Sequence, residues 1–166
     1  MEASSQFLTF AINLAKKAGK IQMSYFGSLS NLSQKTTPID LVTNADIETE
    51  EFIIKRIQEK FPEHSILSEE KGNLESDSEY LWVIDPLDGT TNFTHNLPIF
   101  AVSIGLVKKN EGTICGVVYN PAADKLFHAI KNEGAFLNNL PISVTSSNTL
   151  SKSLLVTGFP YKHDDF

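Results

Sequence analysis

The chain has almost no cysteine: of its 166 residues, only Cys115 carries a thiol. An intrachain disulfide is therefore impossible, and cysteine cannot build a zinc cage within one copy. Cys115 stands in the apolar stretch Thr113-Ile-Cys-Gly-Val117 and reads as a small core residue. Basic clusters are missing too. Lys and Arg number 14 against 20 Asp and Glu, a net charge of −6 with a pI of about 5.2. That balance disfavours a nucleic-acid backbone or an anionic membrane as partner, so neither is expected. No apolar run approaches the length of a membrane span, and Met1-Glu-Ala-Ser-Ser-Gln6 lacks the basic start of a secretory signal. A cytoplasmic protein is expected. Such an acidic protein needs metal ions if it is to handle phosphate.

The material for a core is present, with 41% hydrophobic and 20% charged residues. Phe7, Phe10, Ala11, Leu14, Ala18, Ile21, Tyr25 and Phe26 recur at helical spacing, and Gly27 is a natural stop. A polar loop is expected over Ser28 to Ser33. A second helix is predicted from Asn44, with Ile47, Ile53, Ile54 and Ile57 as its apolar stripe. Asp46, Glu48, Glu50 and Glu51 fill its early turns, where acids compensate the helix dipole. Phe61-Pro62 ends it, and Ser65 to Ser68 reads as a short strand that presents Glu69 and Glu70.

Gly72 to Glu79 reads as a polar loop, and Ile99 to Val107 and Gly112 to Tyr119 as two strands of an antiparallel meander. Lys125 to Ile130, Gly134 to Asn139, Ile142 to Thr145 and Ser153 to Thr157 are further strand candidates. Helices followed by a strand-rich middle imply an α+β fold, in which two N-terminal helices pack on a large, mostly antiparallel sheet. His64, His95, His128 and His163 are scattered without ligand spacing and read as surface or loop residues.

The most informative stretch runs from Leu81 to Asn96. Leu81-Trp-Val-Ile84 is a continuous apolar run, which suits a strand covered on both faces, and Asp85 stands where the run stops. Pro86 stiffens the turn that follows, and Gly89 admits a backbone conformation that a Cβ would resist. Asp85 and Asp88 can then converge on one point, with the Leu87 carbonyl between them; hard oxygen donors of this kind suit Mg²⁺ or Mn²⁺. Thr90, Thr91 and Asn92 are placed to open a short helix whose free N–H groups would face the same point. The same letters also describe an ordinary surface turn held by Asx hydrogen bonds. Asp46 taken alone is a dipole-compensating acid, and Lys35 a solvated lysine.

Three separated segments fit one pattern: Asp40-Leu-Val-Thr-Asn-Ala-Asp46, Ile66-Leu-Ser-Glu-Glu70 and Trp82-Val-Ile-Asp-Pro-Leu-Asp-Gly-Thr-Thr-Asn-Phe93. Together they resemble the inositol monophosphatase family of metal-dependent, lithium-sensitive phosphatases. The likeness continues through Ala101-Val-Ser-Ile-Gly105, Gly116-Val-Val-Tyr119 and Gly134-Ala-Phe136. It implies a layered sandwich of the sugar-phosphatase type and Mg²⁺-dependent hydrolysis of inositol monophosphate by an activated water, with two or three ions for which Mn²⁺ can substitute. It further implies that Glu69, Asp85 and the Leu87 carbonyl hold the first metal, and that Asp85 and Asp88 hold the second. By the same resemblance, Gly89, Thr90 and Thr91 with Asp88 cradle the phosphate, and Asp46 with Thr90 orients the water beside Glu69. Glu70 is then an outer or third-metal acid with Lys35 near it, and a homodimer is implied.

The chain departs from the family at one place: Trp82 is the only tryptophan, so the later Trp-Asp motif that completes the second metal site is absent. The expectation is an N-terminal metal- and phosphate-binding domain over 1–140 and the start of an incomplete α/β domain over 141–166. Related substrates stay open, namely histidinol phosphate, fructose 1,6-bisphosphate, NADP and 3′-phosphoadenosine phosphate. A non-catalytic metal-binding regulatory module is the alternative from another class.

Overall fold

The structure, a computed structural model, describes residues 2–27, 32–34 and 41–157. Helix α1 spans Glu2–Tyr25, and α2 spans Asn44–Lys60. The strands are β1 (Leu32–Gln34), β2 (Leu41–Thr43), β3 (Ser65–Ser68), β4 (Gly72–Leu74) and β5 (Tyr80–Asp88), then β6 (Ala101–Lys108), β7 (Gly112–Asn120), β8 (Lys125–Ile130), β9 (Gly134–Leu137) and β10 (Leu140–Ile142). A short helix, α3 (Thr90–Thr94), follows β5. Strands β1 and β2 form a small antiparallel pair, and the other eight form one sheet in the order β10-β9-β8-β7-β6-β5-β3-β4. Only β3 and β5 run parallel within that sheet; every other neighbouring pair is antiparallel.

The two helices lie on one sheet face because their apolar stripes match its inward residues. Ala11, Leu14, Ala15 and Ala18 from α1 and Ile53, Ile54 and Ile57 from α2 share a core with Ile66, Trp82, Ile84, Val102, Ile104, Leu106 and Val117. Small alanines let α1 approach closely, and at Gly19 a Cβ would stand only 2.7 Å from the Tyr119 ring. Phe7, Phe10 and Phe61 pack around the fully buried Trp82, whose indole N–H donates to His64 Nδ1 at 3.0 Å. A second core of Ala45, Leu87, Phe93 and Phe100, with Tyr25 and Phe26 against it, sits beneath the β5–α3 turn.

Several sequence expectations change. Strand β5 is not covered on both faces: Trp82 and Ile84 are buried, whereas Val83 faces outward, as an alternating strand in a largely antiparallel sheet does. Val118, Phe127 and Ile142 are exposed as well. A depression of about 420 Å³ lies among Val118, Phe127, Ala129 and Ile142 and includes none of the acids. His64 is not a plain surface residue but stacks between Phe61 and Tyr80. The polar segment after Lys71 contains β4, and residues 32–34 form β1 rather than a loop. Ser153 to Thr157 forms no strand and is exposed; the regular piece near it is a 3-10 turn over Leu150–Lys152.

Candidate active site

The acids meet because of one local exception to the antiparallel pattern. In the parallel pair β3–β5, Ser68 is opposite Ile84, so the next residues, Glu69 and Asp85, leave the same end of the sheet side by side. Glu69 stands close enough to act on the Asp85 carboxyl. Burial, then the charge of Glu69 and that of Asp88, push the Asp85 carboxyl up from 3.8 to about 7, against the opposing pull of the Leu87 amide. Glu69 and Asp88 thus both bear on Asp85 within a small space. Among the described residues, no group of three or more His, Cys, Asp or Glu side chains is gathered tightly enough to grip a metal ion as it stands.

The turn between Asp85 and Asp88 is built from its own letters. The β5–β6 register shifts between these two residues, which releases Pro86 and Leu87 from regular pairing. The Leu87 N–H donates to Asp85 Oδ1 at 3.1 Å, so the Asx bond of an ordinary turn is present. The Leu87 side chain is buried in the second core, and its carbonyl accepts a bond from Thr90 Oγ1 at 3.0 Å. Gly89 has φ +88°, and a Cβ there would come 2.9 Å from the Ile99 carbonyl oxygen. The position is closed to side chains by both torsion and space. Asn92 Nδ2 donates to that same Ile99 carbonyl at 2.8 Å and ties α3 to the entry of β6.

The other expected residues are placed as follows. Thr90 and Thr91 are half-buried in the first turn of α3. Asp46 is buried on the first turn of α2. Glu70 is half-buried beside the exposed Glu69. Lys35 lies outside the described residues, as does Asp40.

Two further residues were not singled out from the sequence. Gln22 on α1 is fully buried and donates through Nε2 to the Pro86 carbonyl at 2.7 Å. Its Oε1 is buried without a hydrogen-bond partner. Glu50 on α2, 1% exposed, accepts bonds on Oε1 from the Ser68 hydroxyl, from Glu70 N–H at 3.1 Å and from Lys71 N–H at 3.0 Å. The one available signal for Glu50 was its spacing: four residues after Asp46, it lies on the same inward face of the helix.

The donor set is chemically suited to a hard divalent cation. It consists of carboxylates and a backbone carbonyl, and a cation would favour the ionised form of the Asp85 carboxyl that burial and its neighbours disfavour.

These features define an α+β sandwich with an oxygen-rich acidic site where its parallel strands end. The profile of the Inositol monophosphatase family matches residues 3–165. Inositol monophosphatase 3 of Solanum lycopersicum is 46% identical over 156 residues, covering 92% of this chain and 58% of that protein. Nus factor SuhB of Pasteurella multocida is 44% identical over 158 residues, covering 93% of this chain and 58% of its own. The solved inositol monophosphatase from Anabaena (Nostoc) sp. PCC 7120 superposes with a TM-score of 0.80 at 44% identity, over 95% of this chain and 56% of that one. The chain belongs to the inositol monophosphatase family. It spans under three fifths of the length of these three relatives. No helix among the described residues is long and apolar enough to cross a membrane.

Proposed function

We propose that the chain carries the metal- and phosphate-binding part of a Mg²⁺-dependent phosphomonoesterase that converts inositol monophosphate and water to inositol and phosphate. The observation that carries the proposal is the meeting of Glu69 and Asp85 at one sheet end, with Asp88 acting on the same carboxyl. Like charges so placed destabilise one another unless a cation or a proton joins them, so a purely structural role explains them poorly.

Glu69, Asp85 and the Leu87 carbonyl would hold one Mg²⁺, Asp85 and Asp88 a second, and Glu70 an outer position with Lys35 near it; Mn²⁺ has the same preference for oxygen. Bound there, the cations would neutralise phosphate oxygens and acidify an attacking water. Asp85 is the shared ligand, because the strand end and the Leu87 amide fix its orientation. Gly89 and the first turn of α3 would cradle the phosphate, Thr90 and Thr91 following the glycine with hydroxyl groups and main-chain N–H groups. Thr90 and Asp46 would orient the water, and the Asp46 carboxylate would accept its proton, with Glu69 adjacent. The water oxygen attacks phosphorus, the P–O bond to the inositol oxygen breaks, and that oxygen leaves as an alkoxide that takes a proton from a second water. No phosphorylated residue forms on the chain.

The experiment is phosphate release from inositol 1-phosphate with Mg²⁺, chelator and lithium arms. Histidinol phosphate, fructose 1,6-bisphosphate, NADP and 3′-phosphoadenosine phosphate run in parallel. Chelator-sensitive release from inositol 1-phosphate supports the proposal, and stronger release from another substrate replaces the substrate while keeping the reaction. Metal binding without turnover of any of them, in this chain and in a version extended to the length of its relatives, overturns it in favour of a regulatory metal-binding module. Sedimentation of the same samples tests pairing into a homodimer.

A further inference from the structure

We propose that Glu50 is a positioning residue of the metal site: its buried carboxylate sets the turn that carries Glu69 and Glu70. The inference rests on Glu69 being a metal ligand, as proposed above.

A carboxylate withdrawn from water is tolerated when hydrogen bonds replace its hydration. Glu50 is 1% exposed, and a single oxygen, Oε1, receives the Ser68 hydroxyl and the N–H groups of Glu70 and Lys71. These donors stand on both sides of Glu69, so the backbone on either flank of that acid is fastened to one point. Glu69 itself is exposed, and no core contact fixes it. The neighbouring surface tie, Lys71 Nζ to Glu51 Oε1 at 3.2 Å, joins side chains 42% and 61% exposed; solvent screens it and it holds the turn weakly.

The fixed point is rigid because α2 is. Ile53 and Ile57, both fully buried, anchor the helix against the sheet that contains β5. The distance from Glu50 to Asp85 is therefore set by core packing rather than by a loop. Without that tie, the turn that carries the exposed Glu69 would be free to swing towards solvent, and a cation would have to restore it before binding. An apolar side chain in the same place would fill the space but leave the Glu70 and Lys71 amides without their acceptor. Gln22 does the corresponding work for the other acidic turn by holding the Pro86 carbonyl from α1.

The test is Mn²⁺ binding to the full chain, followed by calorimetry and by the electron paramagnetic resonance of free Mn²⁺, for the parent, Glu50→Ala, Glu50→Gln and Asp85→Asn. Each variant is compared at a temperature where circular dichroism shows it folded. Glu50→Ala is expected to bind Mn²⁺ roughly 10- to 100-fold more weakly. Glu50→Gln, whose amide oxygen accepts the same N–H groups, is expected to recover most of that loss. A merely structural Glu50 would lower the melting temperature yet leave the folded chain's affinity unchanged. If Glu50→Ala does not fold, Ser68→Ala, which removes one of the donors, carries the test with a smaller loss. Parental affinity in Glu50→Ala, or in Ser68→Ala where that replaces it, while Asp85→Asn loses binding overturns the role of Glu50 alone. Parental affinity in Asp85→Asn overturns the metal assignment, and this inference with it.

Discussion

Replacing Asp85 with Asn separates the stability of the fold from the demands of its site. The Asp85 carboxyl is pushed up from 3.8 to about 7, chiefly by burial and then by Glu69 and Asp88. A folded-state value above the unfolded one means that protonation favours the folded chain. The destabilisation is therefore absent below about pH 4, grows as pH rises, and is complete above about 7. At ~1.36 kcal/mol per pH unit, the difference sets an upper bound of about 4 kcal/mol. Asp85 is only half-buried, and solvent screening reduces this to about 1–2 kcal/mol. Asn keeps an oxygen to accept the Leu87 N–H and gains an amide that can donate to Glu69. In chelator at pH 8, Asp85→Asn should melt about 2–8 °C above the parent, and the gap should close as pH falls towards 4. With Mg²⁺ at about 100 times its dissociation constant, the parent should gain about 2.7 kcal/mol and the variant little. Thermal melts followed by circular dichroism measure all of this. A gain that does not change with pH, or a variant less stable than the parent at pH 8 in chelator, would refute the electrostatic reasoning.

Three other outcomes follow from packing and burial. Gly89→Ala forces a side chain into φ +88° with its Cβ 2.9 Å from a backbone oxygen, and should lose about 3 kcal/mol in urea unfolding; a loss below about 0.5 kcal/mol would contradict the strain. Burial raises the Cys115 thiol from 9.0 to about 11, leaving about 100-fold less thiolate at pH 8. Iodoacetamide should therefore label the folded chain at most about one-hundredth as fast as the unfolded chain, and equal rates would place the thiol at the surface. Burial lowers His64, whose Nδ1 accepts the Trp82 N–H, so stability should fall as pH drops below about 6.5; an NMR midpoint at or above 6.5 for that ring would contradict this.

Local chemistry made the main elements legible. Helical spacing from Phe7 to Phe26 and around Ile53 to Ile57 marked α1 and α2, and the apolar run at Leu81 with its terminal aspartate marked β5. What escaped depends on contacts between distant residues. Val83 faces outward because β5 lies within a sheet whose helices cover one face, which a run of four apolar letters does not reveal. Strand β4 is a three-residue edge, Gly72-Asn-Leu74, that pairs with β3 and packs Leu74 against the core. Ser153 to Thr157 is apolar enough for a strand yet has no partner in the sheet. Glu50 and Gln22 looked like ordinary helix residues because their partners lie in turns about 20 and 64 positions away and, apart from the Ser68 hydroxyl, are backbone atoms that carry no letter of their own. The meeting of Glu69 and Asp85 was half legible: each follows a short strand-like run, but only the parallel register sets them side by side.

The most direct test of the central claim is anomalous diffraction from crystals of the chain soaked in Mn²⁺. Density within coordination distance of Asp85, shared with Glu69 on one side and Asp88 on the other, is the predicted result. Crystals with Mn²⁺ bound only elsewhere, and no density between Asp85 and its two acidic neighbours, would contradict it.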